Sequence, residues 1–204
     1  MGKLSLAILM RKTIFLAVTI SVSIFVSGCG FHGSNVSGYV YEWVDQSKPL
    51  SMDNLKPVNN AYVVAIWTGT IPRPIDAGST CLNVKLGKTD ENGYYQIPGW
   101  YRIPRFYPVL MNEVAIRKYK SGYKQKEWTH FLVPAMQTAD DRIRYIDSIV
   151  SIPCQEIGND LYRELLPLYE AALQEAQSLK GVSPELRLSG IRGIQHLISK
   201  GKLK

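Results

Sequence analysis

The stretch TDENGYYQI, residues 89–97, decides how the chain is read. Asp90, Glu91 and Asn92 put three oxygen-bearing side chains in a row, and Gly93 ends the run. Such a run suits a cation or a tight turn. A calcium loop of the EF-hand kind needs oxygens at alternating positions and a Glu at the twelfth. Here Tyr94 and Gln96 follow, and Tyr101 stands where that Glu would be. The cation pattern fails, and no metal is expected. A turn accounts for every residue. Asn92-Gly93 tolerates φ > 0, and the alternation on either side supplies two strands.

Working outward, CLNVKLGKTD, 81–90, puts Leu82, Val84 and Leu86 on one face, and GYYQIPG, 93–99, reads as its partner strand. VSGYVYEWV, 36–44, alternates in strand fashion, and NAYVVAIWTG, 60–69, is a strong strand. Residues 45–59 and TIPRPIDAGST, 70–80, read as loops. YPVLMNEVAIRKYKSGYKQKEW, 107–128, holds one long or two short strands, and HFLVPAM, 130–136, holds another. Short strands at this spacing predict an antiparallel sandwich.

After Thr138 the period changes. Between Ile152 and Lys180 apolar residues recur at 157, 161, 165, 168, 169, 172, 173 and 176, a helical stripe. Pro167 kinks it or restarts it. Ser183-Pro184-Glu185 reads as a helix start with a capping hydroxyl. Leu188, Ile191, Ile194, Leu197 and Ile198 form the buried side of that helix, although Gly190 and Gly193 weaken it. These helices pack on the sandwich, since neither buries its stripe alone.

The N-terminus is of another kind. Lys3, Arg11 and Lys12 precede the apolar run Thr13–Val26, and Met10 opens a second start of the same order. The run is too short to span a bilayer comfortably and reads as a secretory signal. It ends in Val26-Ser27-Gly28-Cys29, which resembles the lipobox of bacterial lipoproteins. That resemblance implies a signal peptide over 1–28, acylation of Cys29 (a diacylglyceryl thioether, then an acylated amine) and a tether over 29–35. The alternatives are an ordinary secretory signal or an uncleaved anchor. The expected location is exported and lipid-anchored. Gly30 after Cys29 favours the outer membrane, facing the periplasm, in a Gram-negative source.

The formal charge is +7, and without the three basic residues of 1–28 the rest carries 21 basic against 17 acidic residues, or +4. Val182–Lys204, with five basic residues and one acidic, accounts for the excess. No nucleic acid is expected as a partner of an exported chain. Cys81 and Cys154 remain after Cys29, and an exported pair suggests a bridge, with free buried thiols or an intermolecular bond as alternatives.

VSGYVYE, KPVNNAYVVAI, KTDENGYYQIP and VAIRKYKSGYK together resemble the carboxypeptidase regulatory-like domain, over roughly 36–124. The matching segments are Gly38–Val40, Pro57–Val63, Thr89–Tyr95 and Val114–Tyr123. The resemblance implies a mainly β fold: an antiparallel Greek-key sandwich of about seven strands, transthyretin-like. It occupies 36–138, with a C-terminal helical extension over 139–204. It implies no catalysis. The H-x-x-E start of a peptidase zinc site is missing, and His130 with Glu127 has no completing ligand. The ending KGKLK departs from the Tyr-Arg-Gly-Ser of transthyretin-like hydrolases. Ser79-Thr80-Cys81 is no nucleophile elbow.

Two surfaces invite binding. Trp100, Tyr101, Arg102, Arg105, Phe106 and Tyr107 combine residue types enriched at hot spots, or they cover the end of the sandwich. Lys118, Lys120, Lys124 and Lys126, interleaved with Tyr119 and Tyr123, read as a solvated strand edge. The expectation is a non-catalytic, membrane-anchored lipoprotein presenting a binding or structural module, without cofactor, to an envelope protein or polymer. The alternatives are an envelope hydrolase or transferase using Glu156, Asp160 or His196, and an inhibitor or sensor of an envelope enzyme.

Overall fold

A computed structural model describes residues 31–71, 78–102, 110–126, 131–135, 138–152, 154 and 158–203. The strands are β1 (Phe31–Gly33), β2 (Val36–Tyr39), β3 (Tyr41–Trp43), β4 (Leu55–Pro57), β5 (Tyr62–Ile71), β6 (Gly78–Lys88), β7 (Tyr94–Ile97), β8 (Trp100–Arg102), β9 (Leu110–Tyr119), β10 (Tyr123–Gln125) and β11 (Leu132–Pro134). The helices are α1 (Ala139–Val150), α2 (Asn159–Glu164), α3 (Leu166–Ser178) and α4 (Pro184–Lys202). Strand and helix take nearly equal shares, so the class is mixed rather than mainly β. The strands form four small sheets, ordered β6-β5-β9, β10-β11-β3-β4, β2-β7 and β1-β8.

The central strand β5 explains the layering. YVVAIW is a continuous apolar run, and it is buried on both faces, as a strand between two covering layers must be. Val63, Ala65 and Trp67 join Val40, Tyr95, Ile97, Trp100 and Leu132 in a core against the other strands. Val64 and Ile66 face the opposite way, into a second core with Tyr119, Ile146, Leu165, Leu168 and Ile194. The helices therefore cover most of one face of the β6-β5-β9 sheet, leaving the end at Thr70 and Ser79 open.

The turn at 90–93 is real, but the pairing expected around it is not. Asp90 O accepts from Gly93 N at 3.0 Å, and Asp90 Oδ1 accepts from the amides of Asn92 and Tyr94 at 2.9 Å each. Gly93 has φ 73°, and a Cβ there would stand 2.6 Å from Val40 O. The turn therefore presses on the β2–β3 junction. This carries the chain from one layer to the other: β6 pairs with β5, whereas β7 pairs with β2. VSGYVYEWV likewise breaks at Val40 into two strands of different sheets.

Leu82 does not share a face with Val84 and Leu86. The β5–β6 register skips Leu82, pairing Trp67 with Asn83 and Thr68 with Cys81. A bulge of this kind leaves one residue unpaired and reverses the side-chain alternation beyond it. Leu82 thus enters the strand-side core and Cys81 the helix-side core. There Cys81 is bonded to Cys154, with Cα atoms 5.2 Å apart.

The helical half holds further departures. α1 lies inside the helical extension expected over 139–204, in a part of it where no apolar stripe had been singled out. Thr138 caps it, accepting from Asp141 N at 3.2 Å, and its Ile143, Ile146, Ile149 and Val150 are buried. The stripe over 157–176 restarts at Leu165, between α2 and α3. Ser183 supplies no capping hydroxyl; its amide instead donates to Asp140 Oδ1 at 2.7 Å. Leu188 is 53% exposed, and the buried seam of α4 is Gly190, Ile194, Ile198 and Gly201. Gly190 lets α1 approach, because a Cβ there would lie 2.8 Å from Ile143 Cγ2. Phe31–Gly33, expected within a loose tether, form β1 opposite β8.

Candidate functional site

The expected aromatic–arginine surface is divided by the fold. Trp100 points inward, its ring 6.0 Å from that of Trp67 in a T-shaped contact. Tyr101 points outward and is 69% exposed. Arg102 closes β8 opposite Phe31. Arg105, Phe106 and Tyr107 lie outside the described residues, as do Cys29, Glu127, His130 and Glu156.

The ribbon formed by β2 and β7 brings together a different set. Val36, Gly38 and Val40 face the core, so Ser37 and Tyr39 face out; Tyr95 and Ile97 face the core, so Tyr94 and Gln96 face out. Register sets Tyr39 opposite Tyr94 and Ser37 opposite Gln96. The Tyr39 ring lies 5.2 Å from Tyr94 and 5.8 Å from Tyr41, nearly parallel to the latter at 16°. Tyr39 is 52% exposed. The outcome is a row of three tyrosines with a hydroxyl and an amide beside it, and no charge at those positions. The signal was readable as outward-alternating tyrosines in VSGYVYE and ENGYYQ. Sequence reasoning passed over them for the denser cluster at 100–107.

The lysine row is not the solvated edge expected. Lys118 is 2% exposed and Tyr119 1%. Burial pushes the Lys118 ammonium down to about 8. Lys120 Nζ donates to Asn59 O at 2.9 Å, and Lys126 Nζ sits 3.6 Å from the Trp43 ring centroid.

Tyr119 belongs to a buried polar cluster. Glu175 Oε1 accepts from Arg142 Nε at 2.8 Å and from Gly122 N at 3.0 Å. Its Oε2 accepts from Arg142 Nη2 at 2.9 Å and from Tyr119 OH at 2.6 Å. Arg142 also donates to the carbonyls of Tyr123 and Lys120. Burial pushes the Glu175 carboxyl up, but the bonds from Arg142, Tyr119 and Gly122 more than reverse this, so it ends below its ordinary value. Burial, then the bond to Glu175, raises the Tyr119 phenol far above its own. All four hydrogen bonds converge on one carboxylate, which leaves it poorly placed to take a substrate proton. The cluster clamps the β9–β10 turn to α1 and α3. The neighbouring cleft, about 270 Å³, is lined by Gly122, Ala135, Arg142 and Glu175.

A second cleft of about 400 Å³ lies over the disulfide, lined by Ile66, Thr68, Ser79, Thr80 and Arg117. Arg117 Nη1 donates to Ser148 O at 2.9 Å and Ser151 O at 3.1 Å, where α1 ends. It thereby serves that helix terminus, whose carbonyls favour a cation. Asp160 meets Arg163 at 3.5 Å on the surface, and His196 is exposed on α4. Among the described residues no three His, Cys, Asp or Glu side chains gather as a metal site, and no helix is long and apolar enough to cross a membrane.

No family model, curated protein or solved structure matches the chain.

Proposed function

We propose that this chain is a non-catalytic bacterial lipoprotein, anchored through Cys29, whose folded part is a binding module in the cell envelope. The observation that carries the binding reading is the outward row of Tyr39, Tyr41 and Tyr94. Tyr39 is exposed and Tyr41 and Tyr94 are half-buried beside it; contiguous apolar surface of this kind marks binding sites more often than scattered residues do, and an uncharged row beside a hydroxyl and an amide suits a neutral partner surface. The anchor reading is supported by the Val26–Cys29 sequence, and the location that follows is the outer membrane facing the periplasm in a Gram-negative source.

The likeness to the carboxypeptidase regulatory-like, transthyretin-like sandwich stays within this proposal. It is supported by the way its motif residues meet. Buried Thr89 donates its hydroxyl to Val58 O at 2.6 Å and accepts from Ala61 N at 2.8 Å. Val40 N donates to Gly93 O at 2.8 Å, and Val58 N to Val40 O at 3.0 Å. These bonds join three of the four resembling segments, and the fourth, Val114–Tyr123, pairs with Tyr62 and Val63 of β5.

Cross-linking in intact cells, followed by purification of the lipidated protein, tests the reading. One dominant envelope protein or polymer is expected, lost with Cys29→Ala and reduced with Tyr39→Ala plus Tyr94→Ala. Capture unchanged by the tyrosine substitutions would move the binding surface elsewhere, and turnover of an envelope substrate by the purified protein would replace the reading with an enzyme.

A further inference from the structure

The interval between the anchor cysteine and the first strand is very short. Only Gly30 separates Cys29 from β1, which begins at Phe31. Two residues of chain reach at most about 7 Å. A lipid on Cys29 therefore keeps the end of β1 within that distance of the bilayer surface.

That end is firmly attached to the fold. β1 pairs with β8 through Phe31–Arg102, His32–Tyr101 and Gly33–Trp100. Trp100 is seated against Trp67 in the strand-side core, and a Cβ on Gly33 would lie 2.1 Å from Trp100 Nε1. The step from β1–β8 to β2–β7 is fixed by Gly99 N donating to Asn35 Oδ1 at 2.6 Å. The ribbon is thus continuous with the core, and fixing its end orients the folded part.

Inward positions are taken by Gly33 and Trp100, so the outward pair at this end is His32 and Tyr101, both exposed. A tyrosine has an apolar ring and a hydroxyl that prefers water, and such residues settle at the headgroup level. The opposite end of the ribbon is the turn with exposed Asp90 and Glu91, up to about 30 Å away at the usual strand rise. Exposed Lys56 and Lys88 flank that turn, so charge does not set its orientation. The short link to Cys29 sets the β1–β8 end towards the membrane, with the 90–93 turn further from the anchor.

We propose that the β1–β8 end of the ribbon is a membrane seat, with Tyr101 and His32 resting among the headgroups of the bilayer that holds Cys29. The ribbon then stands off the surface and carries the Tyr39–Tyr41–Tyr94 row clear of it. This rests on acylation of Cys29, and the test separates the two.

The acylated protein carries a nitroxide at Tyr101→Cys, or at Asn92→Cys, and is reconstituted in vesicles of phosphatidylethanolamine with phosphatidylglycerol. Cys29 is alkylated and Cys81 and Cys154 are bridged, so the new thiol is unique. Power saturation then compares collisions with membrane-dissolved oxygen and with an aqueous nickel chelate. The oxygen-to-nickel ratio is expected to be severalfold higher at 101 than at 92, and a label at His32→Cys should follow 101. Equal, water-like ratios at all three sites in protein whose acylation is verified by mass would overturn the seat and leave the anchor standing. A mass showing unmodified Cys29 in protein from its own host would overturn the anchor, and the seat with it.

Discussion

Glu175, buried on α3, is paired with Arg142 and tied to the strand layer. Its two oxygens take four donors, from α1, from β9 and from the turn after β9. Removing one side of a buried ion pair leaves the other charge uncompensated and costs about 3–5 kcal/mol. Glu175→Gln is expected to lower urea stability by that order. Replacing Arg142 and Glu175 together by Met and Leu should recover most of the loss, since a packed apolar pair often does as well as a buried ion pair. Equal losses in the single and double variants would show that the turn, not the charge balance, is what fails. Neither partner was legible in the sequence as buried, because the β9–β10 turn they clamp lies 20 to 55 residues away in the chain.

Lys118 gives a pH dependence of the opposite kind. Its folded-state affinity for a proton is depressed to about 8, below the 10.5 of an exposed lysine. Between those values the unfolded chain binds more protons than the folded one, so stability rises with pH through that window. Below about pH 8 the penalty for burying the charge is fully present. Above about 10 the raised phenols of Tyr119 and Tyr169 act in reverse, because the unfolded chain then loses protons that the folded chain keeps. Denaturant midpoints should therefore climb from pH 8 towards 10 and then fall. Lys118→Met should flatten the climb and leave the later fall. A flat profile in the parent protein would mean that the ammonium is compensated in place.

At the scale of elements, the two glycines of α4 predict opposite signs. Gly193 has nothing within 4 Å of an added Cβ, whereas Gly190 has Ile143 Cγ2 at 2.8 Å. Gly193→Ala should stabilise by about 0.5–1 kcal/mol through helix propensity alone. Gly190→Ala gains the same propensity but must part α1 from α4, and a net loss in thermal midpoint is expected. What the sequence made plain here were the local features: the 90–93 turn, the restart near Pro167, and β5 as a strand. What it hid was contact between elements. The pattern of Gly190, Ile194, Ile198 and Gly201 does not read as apolar, because two of its four members have no side chain to bury. The bulge at Leu82 was equally hidden, since unpairing one residue leaves the sequence alternation looking intact. Without that bulge Cys81 would face the other layer, and the bridge to Cys154 could not form.

For the whole molecule, the helices are half of the enclosure of the central sheet rather than an addition to it. A chain ending at Thr138 would bare Val64, Ile66, Val84 and Tyr119 along one face, each worth about 1.5–3 kcal/mol when buried. Such a chain is expected to be insoluble or unfolded by circular dichroism. A soluble, cooperatively melting product would show that the strand layers stand alone. The sequence made the presence of two halves legible through the change of period near 138. It did not show that β5 needs both halves, although its unbroken apolar run is the feature that says so.

The bulge at Leu82 and the bridge it permits also have a consequence for how the molecule is completed in time. The chain is made from its N-terminus, at roughly 5–20 residues each second. Cys81 is finished 73 residues before its partner, and the last helical turn that shields the sheet comes later still. Until the helices have arrived, the side of the central strand that they cover has nothing to pack against. The sulfur–sulfur bond can close natively only once the segment after α1 has arrived. Oxidation of this pair therefore cannot precede the arrival of α1, and once formed it ties the strand half to the helical half before α2, α3 and α4 close over the sheet.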